Sequence, residues 1–564
     1  MINRGFKSGI TKRFKKLPTP QVFQREEDGS FTIFVLLGVL VIFATTGIGV
    51  DVMNFERDRA TLQSTLDRAV LAAADLDQTL PPRQVVESYL DKAGLSDKLK
   101  SVNVQEGFGS RTVSATAETI VNTNFMRFSG HKTLTAQAAS TAEESIGSVE
   151  ISLVLDMSGS MNRASAEAGR TKIEVLRSAA KEFVTLMLDK PGESQISMSI
   201  IPYATQVSAG DDILKHFSNV SSEHDFSHCI NFTSAQFGSS ALDPTISYDR
   251  TAPFDPFQYT NNAEQFPRFP VCPVRAGSDI TAVTDDIDVL HNRIDALTAN
   301  GNTSIDVGMK WGVGMLDPKF QNVVGELARE NIVPDKFKDR PEAYDSEVLK
   351  VAIVMTDGQN TTQYMLKDQY RSGFSDIWFN PEYVRDDGST GEYSVRFRRN
   401  PDRYVWMQQS IENGAQFGRG FITADYPYGN PPNESSFNNE PGTATRMTFP
   451  QLFNQASLYW NATNNYFWQN NHVFNWFQNP RISVGPTTKN SRTTSICGAA
   501  KNNGVIIYGI AFEAPNAGLT TIKNCASSDS HVYEVDEFDD PEGISLQDAF
   551  ASIASSIKKL RLTQ

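Results

Sequence analysis

A surplus of positive charge is missing from this sequence. Its 564 residues hold 52 Lys and Arg against 66 Asp and Glu, a formal net charge of −14. A general nucleic-acid binder needs a basic face that displaces counterions, so the charge balance argues against that class. A second long apolar run is also missing. The stretch "FTIFVLLGVLVIFATTGIGV", residues 31–50, is uncharged and long enough to span a bilayer as a helix, and no other stretch is apolar enough to bring the chain back. Catalytic signatures are scarce: there is no G-x-S-x-G elbow, no P-loop and no H-E-x-x-H motif. One tetrapeptide, "SAAK" at 178–181, matches S-x-x-K, but its usual companions S-D-N and K-T-G are absent and it lies inside an amphipathic helical pattern. A serine hydrolase therefore has a single coincidental match behind it, and the chain is expected not to be an enzyme. Cysteine is scarce too, limited to Cys229, Cys272, Cys497 and Cys525. An even count in an oxidising compartment suggests disulfides. Nearest-neighbour pairing gives Cys229–Cys272 and Cys497–Cys525, although four cysteines allow three connectivities. The alternative is a zinc site from His224, His228, Cys229 and Cys272. Its H-x3-H spacing is permitted, but the ligand set is irregular.

What is present is ordered along the chain. Ahead of the apolar run stand Arg4, Lys7, Lys12, Arg13, Lys15, Lys16 and Arg25. The positive-inside rule then keeps residues 1–28 in the cytoplasm and puts everything after Asp51 outside it. A cleaved signal peptide is the competing reading; against it, the apolar core exceeds a usual h-region and no clean A-x-A site follows. Residues 29–75 read as one membrane helix continuing outward, with Leu62, Leu66, Ala69 and Ala73 on a single face, ended by "LPP" at 80–82. Residues 76–148 read as a small α+β unit: a helix at 85–93, then "SVNVQ", "TVSATAETIVNT" and "LTAQAASTAEE" alternating as half-buried strands.

From residue 149 to 564 the pattern becomes alternating strand and helix. Strands are expected at 149–155, "QISMSIIPY", "VLKVAIVM", "GVIIYGIAF" and "HVYEV". Helices are expected through Ile173, Leu176, Ala180, Phe183 and Met187, at 287–297, at "IDVGMKWGVGML", at "SICGAAKNN", and through Leu546, Phe550, Ile553, Ile557 and Leu560, with Lys558, Lys559 and Arg561 in the last turn. This predicts an α/β fold with a doubly wound, mostly parallel sheet. Two stretches at about 207–278 and 362–491, rich in Pro, Asn and aromatics, interrupt it as insertions. The most biased piece, "YWNATNNYFWQNNHVFNWFQNP", is expected to pack on itself as a satellite core, with a carbohydrate or protein contact face as the alternative.

The candidate site follows from "ISLVLDMSGSMN" at 151–162, where a buried strand stops at Asp156 and Ser158 and Ser160 follow at alternate positions. In open α/β sheets ligands bind beyond the carboxyl ends of strands. A carboxylate with two hydroxyls is a hard-oxygen set suited to a divalent cation, and it needs further oxygens. "GNTS" offers Thr303 in a glycine-containing loop, and "VAIVMTDGQN" offers Asp357 at the end of a second buried strand.

Asp-x-Ser-x-Ser, the loop threonine and Thr-Asp-Gly, in this order, resemble the metal-ion-dependent adhesion site of von Willebrand factor A domains. The resemblance implies a metal held by Asp156, Ser158, Ser160, Thr303 and Asp357, with Mg2+ as cofactor, or Mn2+ or Ca2+. It also implies a protein partner whose carboxylate completes the coordination. The N-terminal part, through Asp51, Leu62, Gln63, Asp67, Ala69, Leu71 and Ala72, resembles TadG-like proteins of the tight-adherence (Flp) pilus system, which begin with a pilin-like membrane helix. Leu66 and Arg68 stand where that family commonly has alanines. Phe34 stands where pilins proper have a glutamate after the processing glycine, here Gly29, which speaks against prepilin-type cleavage. The two resemblances imply a protein of the bacterial inner membrane with its bulk in the periplasm, acting with pilus assembly components. A structural envelope protein with a merely stabilising metal is the alternative.

Overall fold

The computed structural model describes residues 28–75, 78, 80–107, 110–145, 148–167, 169–188, 195–260, 264–346, 348–385, 388–412, 422–432, 440–535 and 543–561. The basic leader lies outside these residues, as do the side chains of Lys559, Leu560 and Arg561. The chain divides into two compact units, Met1–Ser145 and Ile146–Gln564.

The first unit is built on one long helix, α1 (Asp28–Ala74). At about 1.5 Å per residue its 47 residues extend roughly 70 Å. Its two halves have different surroundings. In 31–50 every side-chain position is exposed except Gly47. Beyond Asp51 the face of Leu62, Leu66, Ala69, Val70 and Ala73 is buried. It packs with Val85, Val86 and Leu90 of α2 (Pro82–Lys92) against an antiparallel sheet of β1 (Leu99–Gly107), β2 (Ser110–Asn122) and β3 (Thr133–Ser145). The strands alternate because only one sheet face meets the helix: Val113, Ala115 and Ala117 point in.

The second unit is organised by a six-stranded sheet. In chain order its strands are β4 (Val149–Asp156), β5 (Ile196–Tyr203), β6 (Thr281–Thr284), β7 (Leu349–Thr356), β8 (Ile506–Phe512) and β9 (Val532–Val535), and in space they run β9-β8-β7-β4-β5-β6. All neighbours are parallel except β6, which closes one edge antiparallel to β5. β4, β5 and β7 are buried throughout, which explains their continuous apolar runs.

Successive side chains feed two cores. On one face Ile151, Leu153, Ile353 and Met355 pack with Leu176, Ala180 and Phe183 of α3 (Lys172–Leu188), Leu290 of α4 (Ile287–Asp295) and, from the C-terminal helix Leu546–Arg561, Phe550 and Ile553. On the other, Val154, Ala352, Val354 and Ile507 meet Trp311 of α5 (Ile305–Gly314), Leu327 of α6 (Gln321–Arg329), Ile496 of α7 (Pro486–Asn502) and Ile522 of α8 (Asn516–Cys525).

Several features depart from the expected pattern. β6 has only four residues, all buried, too few to show a period. α7 begins well before "SICGAAKNN", because its first turns bury Lys489, Arg492 and Thr493 rather than apolar side chains. The stretch 362–491 also holds ordered strands. It leaves and returns through an antiparallel pair, Gln363–Leu366 with Arg481–Val484. Between these lies a five-stranded antiparallel sheet that includes Phe374–Val384, Thr390–Arg398 and Arg403–Trp406. Its aromatic core contains Tyr393, Phe453, Tyr466 and Phe477, together with Phe254 and Val271 from the 207–278 stretch. Tyr466 stacks on Trp476 with centroids 3.8 Å apart. Disulfides join Cys229 to Cys272 and Cys497 to Cys525.

Candidate metal centre

β4 and β7 lie side by side in parallel register, Leu155 opposite Met355, so both strands end at the same edge. Asp156 and Thr356 are therefore neighbours. Thr356 Oγ1 donates to Asp156 Oδ2 at 2.7 Å, and the backbone N–H of Ser158 donates to Asp156 Oδ1 at 2.8 Å. The Tyr203 hydroxyl, from the end of β5, donates to the Met355 carbonyl at 3.0 Å and stands 3.4 Å from Asp156 Oδ2. Beyond the strand the two serine hydroxyls are 3.1 Å apart, and Ser160 Oγ donates to Asp357 Oδ1 at 2.6 Å.

The loop bearing Thr303 is tied to this turn by a hydrogen bond from Gly159 N to Gly301 O, 2.8 Å. A Cβ placed on Gly358 would lie 3.5 Å from Thr303 Oγ1 and 3.6 Å from Ser160 Oγ. All five residues named from sequence thus gather around one point at the carboxyl ends of β4 and β7. Asp156, Ser158, Thr303 and Asp357 are buried.

Two carboxylates stand close together here, and one of them is ion-paired. Burial, then the neighbouring charge of Asp357, raises the Asp156 carboxyl above its ordinary range. Asp357 Oδ2 is buried and accepts no hydrogen bond; Lys172 Nζ stands 3.3 Å from it. Among the described residues no three His, Cys, Asp or Glu side chains are grouped as metal ligands. The donors here are two carboxylates and three hydroxyls, a wholly oxygen set that fits a hard divalent cation and not a soft one.

Sequence reasoning missed three contributors. Lys172 also pairs with Glu513, 3.5 Å away, and donates to its carbonyl at 3.0 Å. Lys489 Nζ donates to the carbonyls of Thr303 and Thr361 at 2.7 and 2.8 Å and to Ser304 Oγ at 2.6 Å, clamping two loops of the site together. Burial pushes its ammonium down to about 8. Arg275 Nη2 donates to the carbonyls of Met157 and Asn300 at 3.3 and 3.2 Å, so the 207–278 stretch also braces these loops. None of the three has a local motif, because each partner is remote in sequence.

The rival readings do not assemble. Ser178 is bonded to Arg170, while Lys181 pairs with Asp295 at 2.7 Å, so the S-x-x-K serine and lysine have separate partners. The zinc alternative fails because Cys229 and Cys272 are bonded to each other. His224 lies 3.0 Å from the Thr251 carbonyl, and His228 lies 3.5 Å from Asp211.

Residues 29–76 match the family model "Putative Flp pilus-assembly TadE/G-like". Among curated proteins no match was found. Among solved structures, the chain is similar to the vWF domain of the type V pili tip protein Mfa5 from Porphyromonas gingivalis. That likeness has 14% identity and a TM-score of 0.30, and it covers 73% of this chain and 96% of that one. It is also similar to the pilus adhesin SpaC from Lactobacillus rhamnosus GG, at 10% identity and a TM-score of 0.29, covering 82% of this chain and 34% of that one.

Proposed function

We propose, from the premise of a TadE/G-like N-terminal segment, that this is a membrane-anchored, non-enzymatic binding module of Flp pilus assembly or surface adhesion. It would hold a protein partner through a divalent cation, Mg2+ or else Mn2+ or Ca2+, on Asp156, Ser158, Ser160, Thr303 and Asp357. The carrying observation is that these five oxygen-bearing side chains, from three separated segments, gather at the ends of β4 and β7. A bound dication there would supply a coordination position open to a partner's carboxylate. The surrounding α/β sheet, with helices on both faces, supports the doubly wound, von Willebrand factor A reading of 149–564. The test is affinity capture of pilus components from envelope extract by the purified protein. Capture in Mg2+ that is lost in chelator and restored by added Mg2+ is expected. Equal capture in both would leave the cation structural, which is the alternative reading of an envelope protein with a stabilising metal.

The exposed apolar half of α1 supports the anchor. The orientation in this reading is N-terminus in the cytoplasm and bulk in the periplasm. A reporter active only in the periplasm should work when fused after Gln564 and stay silent when fused after Pro18; the reverse pattern would overturn the orientation.

A further inference from the structure

The first unit carries an exposed aromatic and basic connection at the level where the apolar run of α1 stops. The connection joins β2 to β3 through the short helical turn Met126–Ser129. It is pinned to α1 at two points. The buried Asp51 carboxylate accepts the backbone N–H groups of Asn124, Phe125 and Met126 at 2.9, 2.8 and 2.7 Å. The Phe125 ring lies so close over Gly47 that a Cβ there would sit 2.3 Å from it. Gly47 belongs to the apolar run 31–50, and Asp51 is the first charge after it.

Further along, the sheet follows the helix away from this level. Gln63 Nε2 donates to the Ala139 carbonyl at 2.9 Å, so β3 and α1 advance together from Thr133 and Asp51. At the pinned end, Phe128 is 87% exposed, Phe125 43% and Ile120 61%, large apolar side chains open to solvent in a soluble setting. Arg127, His131 and Lys132 stand exposed among them.

We infer that residues 120–132 are a second membrane contact. In this arrangement Phe125 and Phe128 enter the interfacial layer of the bilayer that α1 crosses, and Arg127 and Lys132 meet anionic phospholipid headgroups. This rests on residues 31–50 spanning the membrane. Given that span, the contact follows from geometry: a loop packed against Gly47 cannot be far from the apolar boundary, which lies about one helical turn away. Aromatic side chains favour the headgroup level, and each basic residue near an anionic surface adds attraction. Two contacts fix more than one does. A lone helix leaves the unit free to tilt, whereas an apolar loop beside it sets the angle at which the sheet leaves the membrane.

The test uses the full chain, disulfides intact, in vesicles carrying nitroxide-labelled lipid. A nitrobenzoxadiazole label is placed on one introduced thiol at a time: Val41→Cys in the span, Val50→Cys at its edge, Phe128→Cys in the loop, and Glu143→Cys near the other end of β3. The label at 128 is expected to be quenched within about twofold of that at 50, as an interfacial group should be, and the label at 143 not at all. Quenching at 41 and 50 with none at 128 would overturn the second contact while leaving the span intact. No quenching at 41 would overturn the span and the contact together. In the Phe128→Cys background, quenching should be stronger in phosphatidylglycerol vesicles than in phosphatidylcholine. Arg127→Gln with Lys132→Gln should remove that difference; a difference that persists would overturn their assignment to headgroups.

Discussion

With free Mg2+ about a hundredfold above its Kd, the wild-type protein should gain about 2.7 kcal/mol of folding stability, and Asp156→Ala should gain none. Two opposing terms act on the metal-free variant. Removing Asp156 relieves its repulsion with Asp357, whose charge adds to burial in raising the Asp156 carboxyl. It also leaves the Ser158 N–H and the Thr356 hydroxyl without their acceptor, a penalty of about 1–3 kcal/mol for each if it stays unpaired. The basal melting temperature therefore decides nothing; the response to metal does. Ser178→Ala, at a half-buried position of α3 remote from the five oxygen donors in sequence, serves as a control and should respond as wild type does. Thermal melting across a titration of Mg2+, Mn2+ and Ca2+ makes the measurement. If wild type shows no gain with any of them, the cation reading falls. If Asp156→Ala gains as much as wild type, the ligand assignment is wrong.

Gly518→Ala should destabilise the second unit by about 1–3 kcal/mol and weaken its metal response at least tenfold. Gly518 sits in the first turn of α8, and a Cβ there would meet the Gly358 carbonyl oxygen at 2.0 Å and its carbon at 2.9 Å. The obstacle is backbone, so a rotamer change cannot relieve it. Either α8 retreats from the sheet or the Thr356–Asp357–Gly358 turn moves, and the second carries Asp357 away from Ser160. Gly498→Ala in α7 is the matched control. A Cβ there meets nothing within 4 Å, and alanine in a helix interior should stabilise by up to roughly 1 kcal/mol. Melting with and without metal separates the outcomes. A Gly518→Ala protein that melts and binds like wild type would show that α8 and the turn are not packed as described.

Legibility in the sequence followed the range of the interactions. The buried strands β4, β5 and β7 could be read because a strand covered on both faces is apolar at every position. The amphipathic helix α3 could be read because one face meets a core and the other water. The 362–491 stretch could not be read as a sheet. Its longest strand, Phe374–Val384, has mixed burial and a register shift between Asn380 and Val384, so no period survives. The polar start of α7 was hidden for a related reason. Lys489 and Arg492 are buried beside Asp306, at 3.9 and 3.8 Å, and a hydrophobic pattern does not register a charge compensated from a distant segment.

For the site, the sequence by itself determined which side chains could serve: an aspartate and two serines placed by one turn, and a threonine and an aspartate each in a loop of the right kind. Those are local facts of spacing and residue type. Only the tertiary structure decided that the loops meet. The parallel register of β4 and β7 makes Asp156 and Thr356 neighbours, and Ser160 reaches Asp357 across 197 residues of chain. The supports were likewise invisible beforehand, because Lys172, Arg275 and Lys489 act on partners that only the fold brings near. A donor's chemistry is carried by its own residue. Its convergence with others depends on strand order and packing, and no short stretch of sequence contains those.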